Sequence, residues 1–194
     1  LVIEALHRME EWHNSIRPLV PTTKEIYVPT GRTAEGMGLP EKLIDIFPKI
    51  AGQHSVQQLA EMAQLSDFEI CKHFATLVKM GILRPLSLEE LVKKSDEAYA
   101  TNDFATTVTL YSRLEESYPE DMKIILPLAD ALRQTEAIVD AMPLYEKVAA
   151  HLQQEGDQDG LKRCWTTMYN MDPNRHDLFQ LLQEVLWPLG TDYY

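Results

Sequence analysis

Thr107, Tyr111 and Leu114 are followed 34 residues later by Ala141, Tyr145 and Val148. This recurrence of a small, an aromatic and an aliphatic residue at helical spacing constrains the fold more than any other feature. A unit of that length holds two helices and a turn, and it cannot bury its apolar face alone. It therefore demands neighbours stacked upon it.

The surrounding pattern supplies those neighbours. Ser87 followed by Glu90 is a capping box opening a helix over 88–100, and Asn102-Asp103 turns the chain into the next. Pro127 is expected to kink a helix around 124–133, and Pro143 is tolerable only near a helix start capped by Asp140. A third copy, LKRCWTTMYNMDP at 161–173, offers Leu161, Trp165, Met168 and Pro173, but it falls 54 residues after Pro119 and so out of phase. The economical expectation is one long helix, 137–155, that ends the second hairpin and begins the third. Leu178, Leu181, Leu182 and Val185 then mark a closing helix over 174–187, before a tail at 188–194. The segment TVTLYSRLEESYP at 107–119, with its 34-residue echo, resembles the second helix of a tetratricopeptide repeat.

Upstream, Ser55 with Gln58 and Ser66 with Glu69 are two further capping boxes, opening helices over 56–63 and 67–80. Only Gln64 and Leu65 separate the first helix from the second cap, which makes a helix-turn-helix. Leu43, Ile44, Phe47 and Ile50 line a preceding helix, while Gly81 followed by Ile82-Leu83-Arg84-Pro85 supplies a stop and a strand. The stretch HSVQQLAEMAQLSDFEICKHFATLVKMGILRPL resembles winged-helix domains of transcription regulators. Together with the repeats, it is similar to the region downstream of the PATAN domain in some bacterial signalling proteins. That resemblance implies regulation through protein contacts.

At the N-terminus Ile3, Leu6, Met9, Trp12 and Ile16 describe an amphipathic helix over 1–17, ended by Pro18. A pattern that begins at Leu1 already in helical phase is expected to continue a longer chain. KEIYVPT at 24–30 reads as a short strand or extended segment, and Thr30 to Pro40 as a loop whose Gly31, Gly36 and Gly38 do not have phosphate-cradling spacing. The organisation expected is thus mainly α: an N-terminal segment at 1–39, a winged helix-turn-helix-like domain at 40–86, and a tetratricopeptide-like α-α superhelix at 87–187.

Composition removes several function classes. No apolar run reaches the length of a membrane span, and the start lacks the basic, uninterrupted apolar character of a signal peptide, so a cytoplasmic location is expected. Cys71 and Cys164 are too few for a disulfide framework or a paired zinc site, and read as reduced core residues. His7 and His13 are six residues apart and fall on different helix faces, and His54, His73, His151 and His176 have no second histidine or cysteine three or four residues away. Neither a cofactor nor catalysis is expected. The net charge of −12 is concentrated in residues 87–194, which carry nine Lys/Arg against twenty Asp/Glu. Such a half repels phosphate backbones.

The expected partner is a protein or peptide. By resemblance to tetratricopeptide proteins, the groove is lined by first-helix positions Glu89, Val92, Asp96 and Tyr99, then Lys123, Leu126, Asp130 and Arg133, with Glu146 and Gln153 beyond. The rival is a DNA-binding regulator in which Lys72, His73, Thr76 and Lys79 read an operator, with the repeats as sensor. Asp67 and Glu69 at the start of that would-be recognition helix oppose it, because the groove presents phosphates and acceptors.

Overall fold

The computed structural model describes residues 2–32 and 40–186. The protein is mainly helical, with one two-stranded sheet among the described residues. It forms two compact units, Leu1–Glu97 and Ala98–Tyr194, so the division falls within a helix rather than at 86/87. Most of the loop expected over 30–40, and the tail, lie outside the described residues.

In the first unit, α1 (Val2–Glu11) continues into a π-helical turn, Trp12–Ile16. The expected single helix is therefore interrupted, and its apolar stripe divides. Ile16 is buried and Trp12 half-buried, whereas Ile3, Leu6 and Met9 are exposed. Next come β1 (Tyr27–Pro29), α2 (Glu41–Ile46) with a 3-10 turn at Phe47–Lys49, α3 (Val56–Ala63), α4 (Asp67–Lys79) and β2 (Leu83–Pro85). On α2 the buried residues are Leu43 and Ile46, with Ile50 following. Ile44 faces solvent, because the buried line runs through Leu43, Ile46 and Ile50 at spacings of three and four, and Ile44 sits one residue off it.

Both capping boxes close reciprocally. Ser55 N–H donates to Gln58 Oε1 at 2.9 Å, and Ser66 N–H to Glu69 Oε2 at 3.0 Å. Gln64, left-handed at φ 53°, reverses the chain between α3 and α4. The strand after Gly81 pairs antiparallel with β1, Val28 opposite Arg84. Residues before the helix-turn-helix are thereby tied into its core: Tyr27 stacks edge-on to Phe74 at 5.4 Å, and Ile16, Val20, Leu43, Leu59 and Leu77 share the same cluster.

α5 (Leu88–Ala100) opens on the third capping box, Ser87 N–H donating to Glu90 Oε2 at 3.0 Å. The second unit then runs α6 (Phe104–Glu115), α7 (Met122–Gln134), α8 (Ile138–Glu155), α9 (Gln158–Met171) and α10 (His176–Leu186), and from α6 onward each helix packs on the next. Aspartates cap three of them: Asp103, Asp121 and Asp157 accept from the N–H groups of Thr106, Lys123 and Gly160. The repeat positions are core. Thr107 and Ala141 are fully buried, and Tyr111, Leu114, Tyr145 and Val148 nearly so.

Two expectations change here. α8 begins at Ile138 with Ala137 as its cap, so Asp140 lies in the first turn instead of capping the helix. Pro143 and Pro127 are both inside unbroken helices. The helix over 138–155 also ends at the left-handed Gly156, and the 161–173 segment belongs to a separate helix, α9, packed on α8 and α10. Its inner face is Leu161, Cys164 and Met168, with Trp165 only half-buried. The segment expected as a third copy of the second helix instead precedes its own packing partner α10, which is why it falls out of phase.

Candidate functional site

On α7, Leu126, Asp130 and Arg133 fall at i, i+4 and i+7, which places them on one face. On α9, Gly160, Arg163, Thr167 and Asn170 do the same. The two faces border a groove made of adjoining depressions. The central one, about 360 Å³, is lined by Leu126 and Asp130 of α7, Val148 and Leu152 of α8, and Arg163 and Thr167 of α9. A second carries the groove on past Arg133, Ile138 and Asn170, and a third extends outward along Lys162 and Asp159.

The wall is held by one carboxylate. Asp130 accepts from the Tyr99 hydroxyl at 3.1 Å and from the Tyr145 hydroxyl, and Arg133 Nε donates to the Tyr145 oxygen at 3.2 Å. Burial, followed by the Asp130 hydrogen bond, raises the Tyr145 hydroxyl well above its ordinary pKa. Burial and then the Asp130 charge raise Tyr99 in the same direction. Both phenols therefore stay protonated and act as donors. Cys164 lies at the base, where burial first and Asp130 second push its thiol up to about 11, so it is a packed thiol and no nucleophile at neutral pH.

Of the residues expected at the site, Tyr99, Leu126, Asp130 and Arg133 come together here. Lys123 is exposed on α7, outside the depressions. Glu146 and Gln153 do not line the groove: they belong to α8, where Glu146 pairs with Arg175 at 3.0 Å and Gln153 faces solvent. Glu89, Val92 and Asp96 are exposed on the part of α5 belonging to the first unit. The residues missed, Arg163, Thr167 and Asn170, all lie on α9, the helix assigned the wrong place in its hairpin. Asp121 and Asp157 cap α7 and α9, but Asp103 caps α6 in the same way, so the aspartate caps locate helix starts without telling which helix of a hairpin each one opens.

On α4, Lys72 is paired with Glu11 of α1 at 2.7 Å, and the Arg8 guanidinium lies 5.7 Å from the centre of the neighbouring Phe68 ring. The Thr76 hydroxyl donates to the Lys72 carbonyl at 3.0 Å, and the half-buried His73 is held below its ordinary pKa, chiefly by burial. Lys79 is exposed. Among the described residues no three His, Cys, Asp or Glu side chains gather to hold a metal ion, and no helix is long and apolar enough to cross a membrane. Comparison with protein-family models, curated proteins and solved structures finds no match to this chain.

Proposed function

We propose that the second unit is a tetratricopeptide-type array whose α7–α9 groove binds a peptide or protein segment without catalysis. The groove itself carries this reading. It combines a half-exposed aliphatic wall at Leu126 with guanidinium, hydroxyl and amide groups from Arg163, Thr167 and Asn170. Anchoring apolar contacts beside a few directional polar groups are what an extended or helical peptide needs. Among the described residues of the groove no nucleophile is paired with a base, and its titratable phenols and thiol are shifted away from reactivity.

The first unit is, in this proposal, a winged-helix-type domain that docks protein and does not read DNA. The pairing of Lys72 with Glu11 and the acidic start of α4 support that choice, since each removes positive charge where a phosphate backbone would lie. A scaffold of this kind suits a cytoplasmic signalling or regulatory protein, as the bacterial resemblance implies.

The test is selection of displayed random peptides on the full chain, followed by titration of those recovered. Leu126→Asp, at an exposed position, should weaken them by at least about tenfold with an unchanged thermal midpoint. Undiminished binding to that variant would place the partner site elsewhere.

A further inference from the structure

We infer that the central depression of this groove takes one aromatic side chain from an otherwise uncharged peptide segment, the ring lying on Leu126 and Leu152 and stacked by the Arg163 guanidinium. The inference rests on the peptide-binding reading above and adds the chemistry of the ligand.

Charge narrows the class first. Residues 98–194 contain seven Lys/Arg and sixteen Asp/Glu, so the unit as a whole is acidic. Its groove is not. Among the described residues three carboxylates, Asp130, Asp157 and Asp159, line it against three cations, Arg133, Lys162 and Arg163. Two of those carboxylates are already engaged: Asp130 accepts from the Tyr99 and Tyr145 hydroxyls, and Asp157 accepts the Gly160 N–H as helix cap. A lining that balances both signs favours neither an acidic nor a basic run, and the acidic unit repels an acidic one at long range. The complementary segment is uncharged, and selection falls on the apolar depression.

The walls of that depression come from three helices. Val148 and Leu152 stand one turn apart on α8, and Leu126 of α7, 42% exposed, borders the same space. On α9 the corresponding pair is Gly160 and Cys164, so that side is bare backbone and a sulfur. The Cys164 thiol donates to the Tyr145 carbonyl at 3.4 Å, which fixes the sulfur at the base. At about 360 Å³ the depression lies at the small end of ligand sites, with room for one large side chain. Sulfur beside a ring is a favourable contact.

Arg163 decides between a ring and an aliphatic chain. It is exposed on the same face of α9, one turn from Gly160 and one from Thr167, and it borders the depression. A planar guanidinium stacked on an aromatic face is attracted by the ring's quadrupole while its N–H groups still reach water. Over an aliphatic side chain it gains no such attraction. The apolar walls accept either kind of anchor; the guanidinium rewards only the aromatic one.

The experiment takes the peptides recovered from the full chain, replaces the aromatic residue of each by Leu, and titrates both forms against the parent and Arg163→Gln. The expected result is enrichment of an aromatic residue in uncharged surroundings, with a loss of about fivefold on replacement by Leu for the parent and less than about twofold for Arg163→Gln. The thermal midpoint of Arg163→Gln should match the parent's, because the position is exposed. Three results overturn the inference: recovered peptides that lack an aromatic residue or are strongly charged, a Leu penalty as large in Arg163→Gln as in the parent, or no penalty in either. If such peptides still lose binding to Leu126→Asp, the groove reading survives and only the aromatic assignment falls. If binding ignores Leu126→Asp as well, or no peptide is recovered, both fall.

Discussion

The Tyr99 hydroxyl donates to Asp130 at 3.1 Å, across 31 residues of sequence, and the other oxygen of that carboxylate takes the Tyr145 hydroxyl. One α7 side chain thus fastens the end of α5 and the middle of α8 behind the groove. Asp130→Ala leaves two partly buried hydroxyls without their acceptor and should cost about 2 kcal/mol, while Tyr145→Phe should cost about 1 kcal/mol. Urea unfolding of the double variant should show less loss than the two single losses combined, because both remove the same bond. An Asp130→Ala midpoint equal to the parent's would mean that the network does not brace the wall.

Stability should depend on pH through Glu90. Its carboxylate takes two bonds of 2.7 Å from Arg84 and one from the Ser87 N–H, and these, the Arg84 bonds foremost, hold it well below the ordinary carboxylate range. The ionised form therefore prefers the folded chain. Its contribution is complete above the unfolded pKa of about 4.3 and disappears as pH falls through the lower folded value. Parent and Glu90→Gln should differ most in urea midpoint near neutrality and converge in acid. A gap that stays constant down to about pH 3 would assign the effect to packing and not to ionisation.

Duplex DNA should not bind. At low salt, where electrostatic association is exaggerated, labelled random duplex titrated with the full chain should show no dissociation constant tighter than about 10 µM. The reason is local: Glu11 takes the Lys72 ammonium at 2.7 Å, and Asp67 and Glu69 occupy the first turn of α4. Micromolar binding that weakens steeply with salt would restore the operator-reading alternative.

What the sequence made legible was whatever is encoded locally. Ser55 with Gln58, Ser66 with Glu69 and Ser87 with Glu90 each specify a helix start through contacts three residues apart, and α3, α4 and α5 begin where those pairs place them. Pairing at long range was not legible. That β2 joins β1 depends on burying Tyr27 against Phe74, a contact no spacing announces. The 34-residue recurrence located Asp130 and Arg133. The groove's other wall was lost because α9 starts 36 residues after α7, and Leu161, Trp165 and Met168 imitate the spacing of a second helix.

The last prediction concerns Gly160, which sits on α9 under the groove. Within a helix, replacing glycine by alanine ordinarily stabilises by up to about 1 kcal/mol, since glycine loses more backbone entropy on folding. Here the added methyl would lie 2.8 Å from the Asp157 carboxyl carbon and 3.1 Å from Leu152 Cδ2. Asp157 is the cap of α9, accepting the Gly160 N–H at 2.9 Å, and it would have to swing away. Losing a cap costs about 1 kcal/mol, and displacing Leu152 from a packed edge adds about 1 kcal/mol or more. The penalties outweigh the entropic gain, so Gly160→Ala should lower stability by roughly 1 kcal/mol and, through Leu152, weaken groove ligands. Asp157→Ala separates the two contributions: it removes the cap without crowding Leu152, so it should destabilise to a similar degree while leaving ligand affinity nearly unchanged. A Gly160→Ala variant more stable than the parent would show that α9 begins differently and that Asp157 does not cap it.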